Sequence, residues 1–206
     1  MIRNILFDMG GVLMRFIPER YIADLGVSPE DGTLLMREVF RSPEWGALDW
    51  GSLTEEEAYV RFCARLPERL HEAAAELLFR WDRPIIPVEG MEQFVRDLKL
   101  SGYRLFLLSN ASVRQHEYWP RIPGCGYFED TLVSADEHLV KPQPEIYLRA
   151  CEKFGILPEE SLFIDDVHLN IEGARQAGIR GIVFHEDIPE LKQKLQEAGV
   201  KICCES

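Results

Sequence analysis

Short apolar runs that stop at glycine or at a polar residue recur along this chain. They predict five β-strands, at residues 2–8, 103–108, 130–135, 162–164 and 179–184. Apolar residues at helical spacing lie between them, and the predicted helices cover about residues 88–98, 111–118, 146–154, 169–178 and 188–198. Strands that alternate with helices of about ten residues are typical of βαβ units and of a mainly parallel sheet.

Residues 15–83 follow a different pattern. Segments with helical periodicity lie at about residues 18–25, 30–41, 53–65 and 68–81, and no strand alternation is convincing there. Thr54 is a good N-cap for the third of these segments, because three glutamates follow it in the first turn. We therefore predict an α/β fold with a Rossmann-like parallel sheet flanked by helices, formed by residues 1–14 and 84–206, and a helical insertion at residues 15–83.

The composition is ordinary for a globular protein, with 46% hydrophobic and 28% charged residues in a chain of 206. A formal net charge of −12 argues against nucleic acids and anionic membranes as partners, because both need a basic surface. No run approaches the roughly 18 apolar residues of a membrane helix, and Arg3 and Asn4 interrupt any signal peptide. The five cysteines, which include Cys203 and Cys204, lack paired metal-ligand spacing. These features predict a reduced, cytoplasmic protein, either a monomer or a weak homodimer.

Distinctive polar residues stand at the ends of the apolar runs or just after them. They are Asp8, Ser109, Asn110, Lys141, Asp165 and Asp166. Taken singly, each is more typical of a turn, a helix cap or a solvated charge. Parallel strands bring their carboxyl ends to one edge of a sheet, where ligands bind in open α/β folds. The order and matched placement of these residues therefore predict one shared site, with Asp8 as a nucleophile.

Four motifs carry a resemblance to a known family. They are Phe7-Asp8-Met9-Gly10-Gly11-Val12-Leu13, Leu107-Leu108-Ser109-Asn110, Lys141-Pro142-Gln143-Pro144, and Phe163-Ile164-Asp165-Asp166 with Asn170. With them the chain resembles the haloacid dehalogenase superfamily, in its phosphatase branch with an α-helical cap. The forms Asp8-x-Gly10, Tyr118-Trp119-Pro120 and Asp165-Asp166 look most like bacterial phosphatases that act on glucose 1-phosphate. The resemblance implies that the insertion at 15–83 is the cap.

The resemblance also implies a catalytic role for each strand-end residue. Asp8 would attack phosphorus and form an aspartyl-phosphate that water later hydrolyses. Ser109 and the Asn110 amide would bind phosphate oxygens, and Lys141 would neutralise Asp8 and the charge of the transition state.

A magnesium site follows from the same resemblance. The Asp8 carboxylate, the Gly10 carbonyl and Asp166 would bind Mg²⁺, with Asp165 in or next to the coordination sphere. Asn170 would hold this loop in shape, although a helix-cap role explains it equally well.

Gly10 is a departure from the family pattern, which has a second aspartate two residues after the nucleophile. That aspartate protonates the leaving oxygen and activates water, and its loss costs about 10²–10⁴-fold in rate. Three explanations stay open. The leaving group departs with less help, as an anomeric oxygen does; a cap residue such as Glu44, Asp49 or His71 replaces the acid; or the protein binds its ligand and catalyses poorly.

The segment from Pro43 to Gly51 is the most unusual part of the predicted cap and is expected to lie between helices. A sugar could stack on Trp45 or Trp50 and hydrogen-bond to Glu44 or Asp49, although both tryptophans could equally pack the cap against itself. The resulting hypothesis is a Mg²⁺-dependent phosphatase for a small phosphorylated metabolite, such as glucose 1-phosphate. The alternatives are a haloacid dehalogenase-type hydrolase and a weakly active, phosphate-binding regulatory protein.

Overall fold

The computed structural model describes residues 1–202, so Cys203 and Cys204 lie outside it. Its strands are β1 (Asn4–Phe7), β2 (Arg104–Ser109), β3 (Asp130–Val133), β4 (Ser161–Asp165) and β5 (Arg180–Val183). They form one parallel sheet in the order β3-β2-β1-β4-β5. This confirms the predicted α/β fold, with β1 at the centre of the sheet.

The insertion is helical throughout. Its helices are α1 (Pro18–Asp24), α2 (Pro29–Leu35), α3 (Pro43–Trp50), α4 (Glu55–Arg65) and α5 (His71–Phe79). A π-helical turn, Met36–Phe40, continues α2, and a 3₁₀ turn, Glu68–Leu70, precedes α5. The predicted Thr54 cap is present, since its side chain accepts from Glu57 N while the Glu57 side chain accepts from Thr54 N.

The prediction that the segment 43–51 lies between helices is wrong, because most of it is helix α3. Ser42 caps this helix by accepting a hydrogen bond from Trp45 N, and Pro43 occupies its first turn. The helix ends at Gly51, which has φ of +73°. Proline and glycine marked the two ends correctly, but eight residues carry too little apolar periodicity to reveal a helix.

The remaining helices flank the sheet. They are α6 (Met91–Leu100), α7 (Gln115–Tyr118), α8 (Ser134–Glu137), α9 (Pro144–Phe154), α10 (His168–Gln176) and α11 (Ile188–Glu197). Residues of α6 and α11 pack on one sheet face with Phe7 and Leu107, and residues of α9 and α10 pack on the other with Leu6 and Phe106. Within residues 1–202, no helix is both long and apolar enough to span a membrane.

A separate hydrophobic cluster forms inside the insertion, with Leu35, Val39 and Phe62 fully buried in it. Trp81 packs against this cluster and also against the cluster on the α6 face of the sheet. The boundaries that we predict for the insertion, at residues 15 and 83, stay a prediction, which the separate cluster supports.

Candidate active site

Asp8 directly follows the central strand β1 and lies within the cluster of polar residues. Its backbone N–H still donates to Ile164 O of the neighbouring strand, at 2.9 Å. Lys141 Nζ lies 2.7 Å from Asp8 Oδ1 and 2.7 Å from Asp165 Oδ2. All three residues are buried. The chain therefore brings together one cation and two carboxylates that are far apart in sequence, as the strand-end argument predicts.

Burial governs the ionisation of this cluster. It raises the pKa of Asp8 to about 7, and the Lys141 ammonium opposes that shift. Burial alone would lower the pKa of Lys141, but Asp165 and Asp8 outweigh it, so the lysine pKa is raised. Lys141 is therefore protonated and positively charged, and it lies between the two carboxyl groups.

Asn110 positions Lys141, a role that sequence reasoning missed. Its Oδ1 accepts from Lys141 N at 2.8 Å, and its Nδ2 donates to Lys141 O at 3.0 Å. The side-chain amide is thus engaged with the backbone of Lys141. Asn110 also lines the cavity described below, so its predicted contact with phosphate stays a prediction that would use its backbone N–H.

Asp165 is held from several sides at the end of β4. Asn170 Nδ2 donates to Asp165 Oδ1 and Oδ2 at 3.1 and 3.0 Å, and Val167 N donates to Oδ1 at 2.8 Å. Tyr147 in turn donates its hydroxyl to Asn170 O at 2.6 Å. The loop-shaping contact predicted for Asn170 is present, and Asp165 has a fixed orientation.

Three carboxylates offer a metal site. One oxygen from each of Asp8, Asp165 and Asp166 lies within 4.8 Å of the others. Lys141 is the cationic side chain paired with this group among residues 1–202, so the negative charges outnumber the positive one. Oxygen ligands and excess negative charge suit Mg²⁺, so the residues fit the predicted ion.

Gly10 and Gly11, which follow Met9, differ in the space that an added side chain would find. A Cβ on Gly11 would lie 2.3 Å from Asp166 Oδ2, and Gly11 has φ of +76°. A Cβ on Gly10 would meet only Phe16 Cβ, at 3.8 Å, which is an ordinary van der Waals contact. The predicted metal contact of the Gly10 carbonyl stays a prediction.

A cavity of about 350 Å³ lies above Asp8, a volume within the range of small-molecule sites. Among the residues proposed from sequence, its lining includes Asp8, Gly10, Trp45, Asp49, Asn110, Lys141, Asp166 and Asn170. Asp165 and Ser109 are buried and are not among the lining residues. The phosphate contact predicted for Ser109 therefore stays a prediction, for which a substrate would have to reach the end of β2.

The insertion covers this cavity largely with apolar side chains. Phe16, Leu48, Leu78 and Trp81 of the insertion line it, together with Met14 and Tyr118 of the sheet domain, and sequence reasoning assigned none of these residues to the site. Of the two predicted tryptophans, Trp45 lines the cavity and Trp50 does not. Trp45 also packs its ring against Phe40, with centroids 4.8 Å apart. It therefore serves both the cavity and the packing of the insertion.

The three acids or bases proposed to replace the acid missing at Gly10 have different surroundings. Glu44 forms an ion pair with Arg65, whose Nη2 lies 2.8 Å from Glu44 Oε2. His71 Nε2 lies 3.1 Å from the Cys63 and Leu66 carbonyl oxygens. Neither of them lines the cavity, whereas Asp49 does. Burial raises the pKa of Asp49 to about 7, and Lys141 opposes the shift.

Comparison with known proteins agrees with this arrangement. Residues 2–178 match the sequence model of a hydrolase family described as haloacid dehalogenase-like hydrolase. Over 203 residues the chain is 25% identical to the sesquiterpene phosphatase astK of Aspergillus oryzae, a match that covers 94% of this chain and 95% of that protein. It is also 33% identical to a phosphoserine phosphatase of Thermus thermophilus. That match covers 56% of this chain and 47% of the Thermus protein. The chain thus matches about half the length of the second relative.

The similarity extends to solved structures. The magnesium complex of the HAD family enzyme bt-2542 from Bacteroides thetaiotaomicron superposes with a TM-score of 0.71 and 26% identity. The match covers 93% of this chain and 98% of that one. The two folds are thus similar over nearly the full length of both chains, and the matched part includes the sheet and most of the insertion.

Proposed function

The chain belongs to the haloacid dehalogenase-like hydrolases, and on that premise we propose that it is a Mg²⁺-dependent phosphomonoesterase whose nucleophile is Asp8. The observation that carries the proposal is the position of Asp8 at the end of the central strand, 2.7 Å from Lys141 Nζ and beside two further carboxylates. Phosphoryl transfer requires an in-line nucleophile and compensation of phosphate charge, and little else.

In the first step an Asp8 oxygen bonds to phosphorus while the bond from phosphorus to the leaving oxygen breaks. Lys141 orients the Asp8 carboxylate and, because it is buried, stabilises nearby negative charge more strongly than an exposed lysine would. In the second step, water attacks phosphorus and regenerates the Asp8 carboxylate. Ser109 and the backbone N–H of Asn110 are the proposed donors to phosphate oxygens.

Asp8, Asp166 and the Gly10 carbonyl would hold Mg²⁺, with Asp165 beside them. The ion supplies positive charge that lets carboxylates and a phosphate dianion share a small space. A dehalogenase acting on carbon has no use for this excess of carboxylates, so the Asp165-Asp166 pair disfavours that alternative.

The first candidate substrate is a sugar phosphate such as glucose 1-phosphate. Trp45 offers an aromatic face for a sugar ring, and Asp49 and Glu55 offer hydrogen-bond acceptors in the same cavity. The apolar wall formed by Phe16, Leu48 and Trp81 favours a second candidate, a phosphomonoester of an apolar alcohol. The similarity to a sesquiterpene phosphatase over nearly the whole chain supports this second class.

A substrate panel with Asp8→Asn tests the proposal. The wild-type protein should release phosphate from at least one sugar phosphate or prenyl phosphate with Mg²⁺ and lose that activity in EDTA. Asp8→Asn should abolish turnover, because an amide is a poor nucleophile toward phosphorus. The exposed Asp24 provides a matched control, since Asp24→Asn makes the same chemical change far from the cavity.

Three results would contradict the proposal: hydrolysis that persists in EDTA, hydrolysis that survives Asp8→Asn, or no hydrolysis of any phosphomonoester in the panel. In the last case, binding of inorganic phosphate and Mg²⁺ by calorimetry would favour the regulatory alternative.

A further inference from the structure

Gly10 leaves the proposed reaction without an acid at the expected position. The cavity offers two carboxyl groups outside the proposed metal cluster, Asp49 and Glu55. Glu55 is engaged, because its Oε1 accepts a hydrogen bond from Ser112 Oγ at 2.5 Å. Within residues 1–202, no donor hydrogen-bonds to the Asp49 carboxylate, which interacts electrostatically with Lys141 and Tyr118. Asp49 is therefore the carboxyl group available to a ligand in the cavity.

The backbone of Asp49 is fixed to the sheet domain, although the residue belongs to the insertion. Ser134 Oγ donates to Asp49 O at 2.6 Å and accepts from Ala111 N at 2.9 Å. Two residues further on, the helix end lies so close to the sheet domain that a Cβ on Gly51 would be 2.2 Å from Ala135 O. These contacts hold Asp49 in a constant position relative to the strand ends.

We propose that Asp49 is the general acid and base of the reaction, in place of the aspartate that the family carries two residues after the nucleophile. Asp8 lies at the sheet side of the cavity and Asp49 on the insertion that covers it. In an in-line displacement the leaving oxygen departs on the side of phosphorus opposite the nucleophile. Because Asp8 lies at the sheet side of the cavity, the leaving oxygen departs toward the insertion. The inference rests on the phosphatase function proposed above.

Both chemical steps use the same carboxyl group. As Asp8 bonds to phosphorus, the electron pair of the breaking P–O bond passes to the leaving oxygen, which takes the proton of Asp49 and becomes an alcohol. Asp49, now a carboxylate, accepts a proton from water as the water oxygen bonds to phosphorus. As it does so, the bond from phosphorus to Asp8 breaks and its electron pair returns to the Asp8 carboxylate, which releases phosphate and leaves Asp49 protonated as at the start.

The ionisation of Asp49 suits this double role. A pKa near 7, raised by burial, gives both protonation states near neutral pH, where general acid–base catalysis is most effective. Lys141 opposes the shift, and Asp49 in turn contributes to the raised pKa of Tyr118. The other titratable groups of the cavity lining are Asp8, Glu55 and Asp166.

Asp49→Asn and a pair of leaving groups test the proposal. For the alkyl phosphomonoester that the panel identifies as a substrate, the variant should lose about 10²-fold or more in kcat/KM, because the alkoxide leaves without a proton. For p-nitrophenyl phosphate, the burst of nitrophenolate should be nearly as fast as in the wild type, because that leaving group needs no proton. Its steady-state turnover should fall, because dephosphorylation of the phosphoenzyme loses its base.

Two further variants complete the test. Glu44→Gln changes an acid to an amide on the same helix but off the cavity, so the preference between the two leaving groups should not change. Asp49→Asn combined with Gly10→Asp should recover much of the lost activity on the alkyl substrate, because it places an acid two residues after the nucleophile, where an added Cβ meets only Phe16 Cβ, at 3.8 Å.

The inference is overturned if Asp49→Asn lowers kcat/KM on the alkyl substrate and the rate of the nitrophenolate burst by the same factor, or lowers neither, while the wild type remains active and dependent on Asp8. Such a result would leave the proposed phosphatase function standing. Loss of the function itself would be recognised separately, by an inactive wild-type protein or an active Asp8→Asn variant.

Discussion

Gly11 is a residue of the site at which an added side chain would meet both an unfavourable backbone conformation and a carboxylate. Its φ of +76° is costly for other residues, and a Cβ would lie 2.3 Å from Asp166 Oδ2. The backbone conformation alone costs an alanine about 1–2 kcal/mol. The contact adds a second effect, because it displaces a carboxylate of the proposed metal site.

We therefore expect Gly11→Ala to raise the Mg²⁺ concentration needed for half-maximal activity, beyond any loss of stability. Gly26→Ala is the matched control, because Gly26 has φ of +64° but no atom within 4 Å of the added Cβ. Both variants should lower the free energy of unfolding, measured with denaturant, and only Gly11→Ala should change the Mg²⁺ titration. Equal Mg²⁺ titrations would contradict the prediction.

The sequence was sufficient to identify Asp8, Lys141 and the Asp165-Asp166 pair as neighbours, because strand ends of a parallel sheet converge whatever the packing around them. The bracing of Lys141 by Asn110 was not foreseeable in this way. It depends on the path of the backbone between β3 and α9, which periodicity does not describe. The family resemblance marked Asn110 only as a donor to phosphate, and it said nothing about its side chain.

Helix α3 shows how one element links the insertion to the sheet domain. Ser134 is fully buried at the start of α8, and its hydroxyl connects Asp49 O with the backbone of Ala111. Removal of this hydroxyl leaves buried backbone groups without a partner, which costs about 1–3 kcal/mol.

Ser134→Ala should therefore destabilise the protein and also lower kcat on the alkyl substrate, because Asp49 loses its fixed position. Ser161→Ala is a close comparison, since Ser161 is equally buried and donates to Leu157 O at 2.6 Å, at the opposite end of its strand from Asp165. Both variants should have a lower free energy of unfolding in denaturant, but only Ser134→Ala should have a lower kcat. If Ser161→Ala reduces kcat as much as Ser134→Ala does, the effect comes from stability alone.

At this scale the sequence predicted most strands and helices but missed α3 and α8, whose first two residues were predicted as the end of a strand. Long elements with a clear apolar face, such as α6 and α9, were predicted because their periodicity is strong. Helix α3 has two polar-flanked tryptophans within eight residues, and its formation depends on caps and on packing against the sheet domain. Short helices of this kind are determined by tertiary contacts more than by periodicity.

The whole molecule has hydrophobic clusters on the two faces of the sheet and another in the insertion. Trp81 connects the insertion cluster with the α6 face of the sheet. Its ring contacts Phe16 at 5.0 Å and Tyr118 at 5.2 Å between centroids. Cooperative unfolding of the two parts therefore depends strongly on this side chain.

Trp81→Ala should remove roughly 3 kcal/mol of packing and allow the helices of residues 18–79 to unfold before the sheet. Hydrogen exchange should then show protection lost in that range at a lower denaturant concentration than in β1 and β4. Trp119→Ala is the matched control, because Trp119 packs only with the α6 face of the sheet among the described clusters. Trp119→Ala should still unfold in a single transition, with its midpoint at a lower denaturant concentration. If Trp81→Ala also unfolds in a single transition, the prediction is contradicted.

The free space beside Gly10 also bears on how such a site could change over generations. A single base change converts some glycine codons into aspartate codons, and at position 10 an added Cβ would meet only Phe16 Cβ, at 3.8 Å. A chain with carboxyl groups at both positions 10 and 49 would have two proton donors and could lose either one while it stayed active. On the proposed role of Asp49, a change from one arrangement to the other through such a chain would keep a proton donor at every step.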